Sequence, residues 1–151
     1  ESGLLEALLE AAKSKPLLGV CVGEQMLFDR SAEVRATEQW TPCLGLIPGE
    51  VRRFDLAGKK QPDGSAFKVP HMGWNNISGL NSILYGGISA EENFYFVHSY
   101  YAEICQETTA VCDYIVPFSA SMQKDNFYAT QFHPEKSSLA GEQLLLNFLQ
   151  L

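Results

Sequence analysis

A cysteine set between two glycines is the residue of this sequence best suited to covalent chemistry. Cys21 follows the apolar run 17–20, with Gly19 and Gly23 on either side. The order predicts a strand, a sharp turn and a helix, which is the geometry of a nucleophile elbow whose glycines allow close approach. The helix dipole favours a thiolate, and the Val22 amide would supply an oxyanion donor. A lone cysteine here is commonly a buried hydrophobe, so both interpretations stay open.

A histidine and a glutamate near the C-terminus have the spacing of a base and its orienting acid. His133 and Glu135 follow a predicted strand at 127–132, and residues two apart project to the same side in extended geometry. A cysteine nucleophile needs such a pair, because the carboxylate selects the imidazole tautomer and stabilises the protonated ring. A surface His–Glu pair in a turn is the alternative that this motif alone would favour.

The segments around these residues predict an α/β fold. Residues 1–15 have the leucine spacing of an amphipathic helix with Ser2 as a candidate N-cap, and the run 17–20 is typical of a buried parallel strand. A helix from 23 to about 30 is predicted to direct three apolar side chains inward: Met26, Leu27 and Phe28.

The middle of the chain has a different pattern, in which glycine and proline are frequent after residue 37. This pattern predicts hairpins and long loops. The β-prone runs lie at 49–54, 67–70, 94–101, 110–115, 117–123 and 127–132, with a helical turn at 81–86. A closing helix is predicted after a Ser137 or Ser138 cap, with four apolar side chains inward: Leu144, Leu145, Phe148 and Leu149.

Composition narrows the class of protein further. The chain has 151 residues, enough for one domain, and a net charge of −7, which argues against a nucleic-acid or anionic-membrane binder. It has no apolar run long enough to cross a membrane. Its four cysteines form no C-x-x-C pair, and its three histidines complete no zinc pattern. We therefore expect reduced thiols, no metal and a cytoplasmic location.

Five blocks of sequence carry a resemblance to a known family. They are GVCVGEQ at 19–25, LGLIPG at 44–49, VPHMGWN at 69–75, FVHSYY at 96–101 and QFHPEKS at 131–137. Together they resemble the class I, triad-type glutamine amidotransferases, and within these the glutaminase subunits of imidazole glycerol phosphate synthase. The resemblance implies a three-layer, flavodoxin-like α/β fold with a mixed central sheet, in one glutamine amidotransferase domain over 1–151.

The resemblance also implies a reaction and its residues. Cys21 would attack the side-chain amide of L-glutamine, with His133 as the proton carrier and Glu135 as its orienter. Ammonia would pass to a cyclase subunit in a heterodimer, with no metal or organic cofactor. The implied glutamine-binding residues are Gln25, Glu33, His98, Ser99 and Tyr100. The implied cyclase-docking residues are Trp74, Asn75, Tyr95 and Lys136.

Two departures from the family pattern qualify this expectation. Glu24 stands where many relatives have an uncharged residue. The first strands of the family and the loop that gives its second oxyanion donor would precede Glu1, so we expect an incomplete N-terminus. Loss of one such donor costs roughly a hundred- to a thousand-fold in rate, so the chain as given would be nearly inactive. The alternatives are another class I amidotransferase, a γ-glutamyl hydrolase, or a non-catalytic regulatory subunit.

Overall fold

The computed structural model of the chain describes residues 3–34 and 38–151; Ser2, the candidate cap, lies outside these ranges. The helices are α1 (Leu4–Ala12), α2 (Val22–Gln25) and α3 (Ser138–Leu149). The strands are β1 (Leu17–Val20), β2 (Phe28–Ser31), β3 (Thr41–Pro42), β4 (Ile47–Arg53), β5 (His71–Asn76), β6 (Asn93–His98), β7 (Tyr100–Ala102), β8 (Thr108–Asp113), β9 (Pro117–Lys124) and β10 (Phe127–Thr130). Short 3₁₀ turns lie at Ile83–Tyr85 and Pro134–Lys136.

The sheet that holds the two sequence motifs has the strand order β1-β10-β9-β8. Strands β1 and β10 are parallel, with Gly19 opposite Ala129, and the remaining pairs are antiparallel. The prediction of an α/β fold with a mixed sheet is thus confirmed. Because the carboxyl ends of adjacent parallel strands meet at one edge, the residues that follow β1 and β10 are brought together, and these include Cys21 and His133.

The Gly/Pro-rich middle of the chain builds a second sheet, β3-β2-β4-β7, and a two-stranded ribbon, β5-β6. In the ribbon, His71 lies opposite His98, and Trp74 lies opposite Tyr95. The prediction of hairpins and loops in this region is confirmed. The burial of alternate side chains in β6, with Phe94, Phe96 and His98 inward, also follows the predicted period of two.

The predicted helix at 23–30 is wrong beyond its first turn. Helix α2 ends at Gln25, and β2 begins at Phe28 and pairs in parallel with β4. Phe28 is 1% exposed because this pairing sets it in the core of the second sheet, whereas Met26 is 46% exposed at the turn between α2 and β2. The strand predicted at 67–70 is also wrong: β5 begins only after Pro70, which has no N–H to give to a ladder.

The closing helix α3 packs against the 3₁₀ turn at Ile83–Tyr85 and against β6, and its Leu144 is fully buried in the larger hydrophobic core. Leu149 is 77% exposed, contrary to the prediction; it is the last residue of the helix. Ser137 precedes α3 but does not cap it with its side chain; its hydroxyl donates to the His133 carbonyl and accepts from the Tyr95 amide. No helix within 3–34 and 38–151 has the length and apolar character needed to cross a bilayer.

Candidate active site

The turn after β1 holds Cys21 in a backbone conformation that few residues adopt. Its φ is 54° and its ψ is −105°, and its amide donates to the Thr130 carbonyl at 2.7 Å. A Cβ on Gly19 would lie 2.7 Å from the Gly23 carbonyl oxygen, so the strand and the helix touch only because Gly19 has no side chain. A Cβ on Gly23 would meet nothing, so the expectation that both glycines are needed holds for Gly19 alone. The strained turn is that of a nucleophile elbow.

The sulfur of Cys21 is half-buried and lies between two polar groups. It donates weakly to the Val97 carbonyl at 3.9 Å and accepts from Gln131 Nε2 at 3.6 Å. Burial raises the pKa of this thiol and is the largest effect; the Val22 amide and Gln131 oppose it, while the Glu135 carboxylate adds to it. The expectation of a resting thiolate is therefore wrong, because α2 is a single turn whose dipole does not outweigh desolvation.

The predicted base and its orienting acid are in contact. His133 Nδ1 lies 2.7 Å from Glu135 Oε1, and the His133 amide donates to the Tyr95 carbonyl at 2.9 Å. This leaves the Nε2 atom for proton transfer on the far side of the ring. The hydrogen bonds of the Cys21 sulfur go to Val97 and Gln131 rather than to the imidazole.

A buried network of side-chain amides, which the sequence reasoning missed, makes hydrogen bonds that end at the Cys21 sulfur. Gln25 Nε2 donates to the Tyr100 carbonyl and to Gln131 Oε1, each at 2.9 Å, and Gln131 Nε2 reaches the Cys21 sulfur. Gln25 is 6% exposed and Gln131 is fully buried. The signal for Gln131 was present, since it stands two positions before His133 and so projects to the same side.

An open cleft of about 320 Å³ lies beside the sulfur, and its size and polar lining suit a small polar ligand. All the residues predicted to bind glutamine line it, together with the cysteine and its neighbour: Cys21, Val22, Gln25, Glu33, His98, Ser99 and Tyr100. Glu33 is exposed at the rim, so its carboxylate is available to a ligand. The His98 ring is not, because Nε2 contacts His71 and Nδ1 contacts the Tyr100 carbonyl.

The four residues predicted to dock a partner lie on or beside the β5-β6 ribbon. Trp74 is 52% exposed and meets Tyr95 edge-to-face, with 5.7 Å between the ring centroids. Lys136 is exposed on the turn after His133. Asn75 is half-buried, and its side chain turns inward to His71 Nε2 at 2.7 Å. Trp74 and Tyr95 thus form an aromatic pair on the ribbon, with Lys136 on the turn after the predicted base and the Asn75 side chain directed to the interior.

Glu24 faces the protein interior. It is 0% exposed, and neither carboxylate oxygen has a hydrogen-bond partner within the described residues. Burial raises the pKa of Glu24 well above its usual value, because an ionised carboxylate there would lose its hydration without compensation. Burial therefore favours the protonated form of Glu24. Among the residues in the described ranges, no cluster of three or more His, Cys, Asp or Glu side chains could hold a metal ion.

Comparison with known proteins gives a consistent result. The family model described as glutamine amidotransferase class-I matches residues 2–151. The chain is 47% identical over 150 residues to the imidazole glycerol phosphate synthase subunit HisH of Dechloromonas aromatica, covering 98% of the chain and 67% of that protein. It is 48% identical over 151 residues to the subunit of the same name from Bacteroides fragilis, covering all of the chain and 70% of that protein.

The fold agrees with these matches. A solved structure described as a glutamine amidotransferase superposes with a TM-score of 0.61 at 17% identity, over 98% of the chain and 67% of its own. The chain belongs to the class-I glutamine amidotransferase family. Within that family it groups with the HisH subunits of imidazole glycerol phosphate synthase, as the five sequence blocks predicted.

Proposed function

We propose that this chain is the glutaminase subunit of imidazole glycerol phosphate synthase, and that Cys21, His133 and Glu135 carry out its reaction. His133 takes the thiol proton while Glu135 holds the ring. The Cys21 sulfur attacks the side-chain amide carbon of L-glutamine and forms a tetrahedral oxyanion. His133 returns the proton to the leaving nitrogen, so ammonia departs and a γ-glutamyl thioester remains. Water, activated by the same imidazole, then releases glutamate.

The oxyanion of both tetrahedral intermediates lies against the backbone after the nucleophile. The Val22 amide is the donor assigned to it, because it is already oriented towards the sulfur, where it lowers the pKa of the thiol against the effect of burial. Gln25, Glu33, Ser99 and Tyr100 would hold the amide, amino and carboxylate groups of glutamine in the cleft. For His98 the available contact is its backbone, since both ring nitrogens are engaged.

The product ammonia would pass to a cyclase subunit that makes imidazole glycerol phosphate and an aminoimidazole carboxamide ribotide. The apolar surface formed by Trp74 and Tyr95, with Lys136 beside it, is the docking face in this proposal. Docking here would cover the site and keep ammonia from water, which would otherwise protonate it. A cytoplasmic location goes with this pathway, and the four free cysteines fit a reducing compartment.

The observation that carries the proposal is the convergence of two distant motifs at one edge of a sheet. Cys21 donates its amide to Thr130, three residues before His133, which itself contacts Glu135 at 2.7 Å. A diazoketone analogue of glutamine should alkylate Cys21 alone in the protein bound to its cyclase. Cys21→Ala should abolish both labelling and glutamine hydrolysis, whereas Cys105→Ala, at another half-buried cysteine, should preserve both.

Three results would count against the proposal. Labelling spread over all four cysteines would mean that Cys21 is not activated. Hydrolysis that persists in the Cys21→Ala protein would exclude it as the nucleophile. Full labelling without stimulation by the histidine-pathway cyclase would instead favour another class I amidotransferase or a γ-glutamyl hydrolase.

A further inference from the structure

A buried pair of imidazole rings lies directly beneath the candidate glutamine cleft. His71 Nδ1 and His98 Nε2 are 3.0 Å apart, and the two residues are 1% and 6% exposed. The outer nitrogens are also engaged: His71 Nε2 lies 2.7 Å from Asn75 Oδ1, and His98 Nδ1 lies 2.8 Å from the Tyr100 carbonyl. All four ring nitrogens therefore take part in one chain of hydrogen bonds from β5 to β7.

A count of protons shows that two protonation states of the imidazole pair satisfy every contact in this chain of hydrogen bonds. The Tyr100 carbonyl can only accept, so His98 Nδ1 must carry a proton, and the contact between the rings needs one more. If Asn75 presents its carbonyl oxygen, a third proton is needed on His71 Nε2, and the pair is a cation. If the carboxamide turns by half a rotation, its NH₂ group donates to His71 Nε2, and two neutral rings satisfy every contact.

The surroundings of the pair favour the neutral state. Aromatic rings enclose it: Tyr114 stacks on His71 at 3.8 Å and Phe54 lies 5.3 Å from His98. Burial lowers the pKa of His98 to about 3, with the Tyr100 carbonyl opposing this effect and nearby His71 and His133 adding to it. Burial also lowers the pKa of His71, and Asn75 opposes it. The titratable groups that face the pair are Tyr114, which stacks on His71, and His133, which lies near His98.

The Tyr100 carbonyl, at the end of this chain of hydrogen bonds, also contacts a residue of the candidate active site. Tyr100 accepts from His98 Nδ1 and also from Gln25 Nε2, at 2.8 Å and 2.9 Å. Gln25 in turn donates to Gln131, which contacts the Cys21 sulfur. A His98 ring in the other tautomer would turn a lone pair to the carbonyl and displace it. The placement of Gln25 therefore depends on which nitrogen of His98 holds the proton.

We propose that His71 and Asn75 are positioning residues of the glutamine site, and that they hold His98 in the Nδ1-protonated tautomer through a neutral imidazole pair. Asn75 donates to His71 Nε2, His71 Nδ1 donates to His98 Nε2, and His98 Nδ1 donates to Tyr100. Since Asn75 follows Trp74 in β5, a partner that turns the Asn75 carboxamide would change the protonation of the pair. The inference about catalysis rests on the proposed glutaminase function; the inference about tautomers does not.

Nitrogen NMR tests the tautomers without any assay of activity. The chain has only three histidines, so ¹⁵N-histidine labelling gives a spectrum that single variants can assign. We expect protonated Nδ1 atoms on His71 and His98 at pH 7. Asn75→Asp should move a proton to His71 Nε2, because a carboxylate can only accept, while Asn76→Asp places the same charge one residue away on an exposed side chain and should move none. A His98 ring protonated at Nε2 in the wild-type protein would overturn the proposal.

Kinetics in the cyclase complex then tests the positioning role. His71→Phe keeps an aromatic ring but gives His98 Nε2 no donor, so the KM for glutamine should rise about tenfold with a smaller change in kcat, as for the loss of one buried hydrogen bond. His71→Asn presents an N–H near the position of Nδ1 and should restore most of the affinity. Circular dichroism should first show that His71→Phe and His71→Asn are both folded. Equal KM values in these two folded variants would contradict the positioning role. Absence of glutaminase activity in the wild-type complex would instead refute the proposed function and leave the NMR result standing.

Discussion

At the scale of single residues, the thiol of Cys21 is held back from ionisation. Burial raises its pKa, and the Glu135 carboxylate acts in the same direction, while the Val22 amide and Gln131 act against them. A thiol that stays protonated until its base is aligned does not react with other electrophiles in the cell. In the proposed mechanism, the proton is transferred to His133 in the complex with substrate.

Glu24 gives a prediction about stability and pH. Its folded-state pKa is raised by burial, so folding is favoured most below the unfolded pKa near 4.5, and this contribution is lost as pH rises towards the folded value. Between these two pKa values Glu24 is ionised in the unfolded chain but not in the folded one. The free energy of unfolding therefore falls by at most about 1.4 kcal/mol per pH unit. Glu24→Gln removes the titration, so the free energy of unfolding of the variant should gain on that of the wild type as pH rises above the unfolded pKa of Glu24 towards the folded value.

Urea denaturation at several pH values measures this difference. Glu142→Gln, at an exposed position in α3, is the matched control and should follow the wild-type pH dependence. A Glu24→Gln protein whose stability falls with pH as steeply as that of the wild type would show that Glu24 is ionised in the folded state.

At the scale of elements, the elbow depends on one close approach between β1 and α2. A methyl group on Gly19 would lie 2.7 Å from the Gly23 carbonyl oxygen, and backbone on both sides leaves nothing flexible to move. Gly19→Ala should therefore destabilise the fold by roughly 1–3 kcal/mol and displace Cys21, so that labelling by the glutamine analogue falls. Gly23→Ala meets no atom and should leave both quantities near the wild-type values. Equal thermal midpoints for the two variants would contradict this account.

The elements also show how far sequence reasoning reaches. β1, β6, β10 and the elbow are predictable because propensity and apolar spacing are properties of short segments. The prediction of a helix at 23–30 is wrong because Phe28 pairs with β4, about twenty residues later. The apolar spacing of a short segment does not indicate a strand partner so far along the chain.

Contacts within the candidate site divide in the same way. His133 and Glu135 are two residues apart, so their contact could be predicted from spacing. The contacts of Gln131 with Cys21 and of His71 with His98 join positions 110 and 27 residues apart. Their geometry depends on how separate strands align, and no pattern along the chain encodes it. Glu24 departs from the family pattern in sequence, but only the packing around α2 shows that its side chain is buried.

At the scale of the whole molecule, the β5-β6 ribbon joins the proposed docking face to the proposed base. The Tyr95 carbonyl accepts from the His133 amide, and the Tyr95 amide donates to the Ser137 hydroxyl, both at 2.9 Å. Trp74 lies opposite Tyr95 in the ribbon and meets its ring. A partner that presses on Trp74 therefore acts on the strand that holds the backbone of His133. This gives a physical route by which docking could align the imidazole with the thiol.

Trp74→Ala tests this route. The side chain is 52% exposed, so its removal should change the free energy of unfolding by less than about 1 kcal/mol, whereas a buried aromatic anchor at an interface contributes about 2 kcal/mol or more to binding. Calorimetry with the cyclase should then show affinity weakened by about thirtyfold, together with reduced stimulation of glutamine hydrolysis. Trp40→Ala is the matched control, because that ring packs against Arg30 at 4.3 Å in the second sheet, and it should bind the cyclase normally. A Trp74→Ala protein that binds normally but melts far below the wild type would mean that Trp74 closes the core and the docking face lies elsewhere.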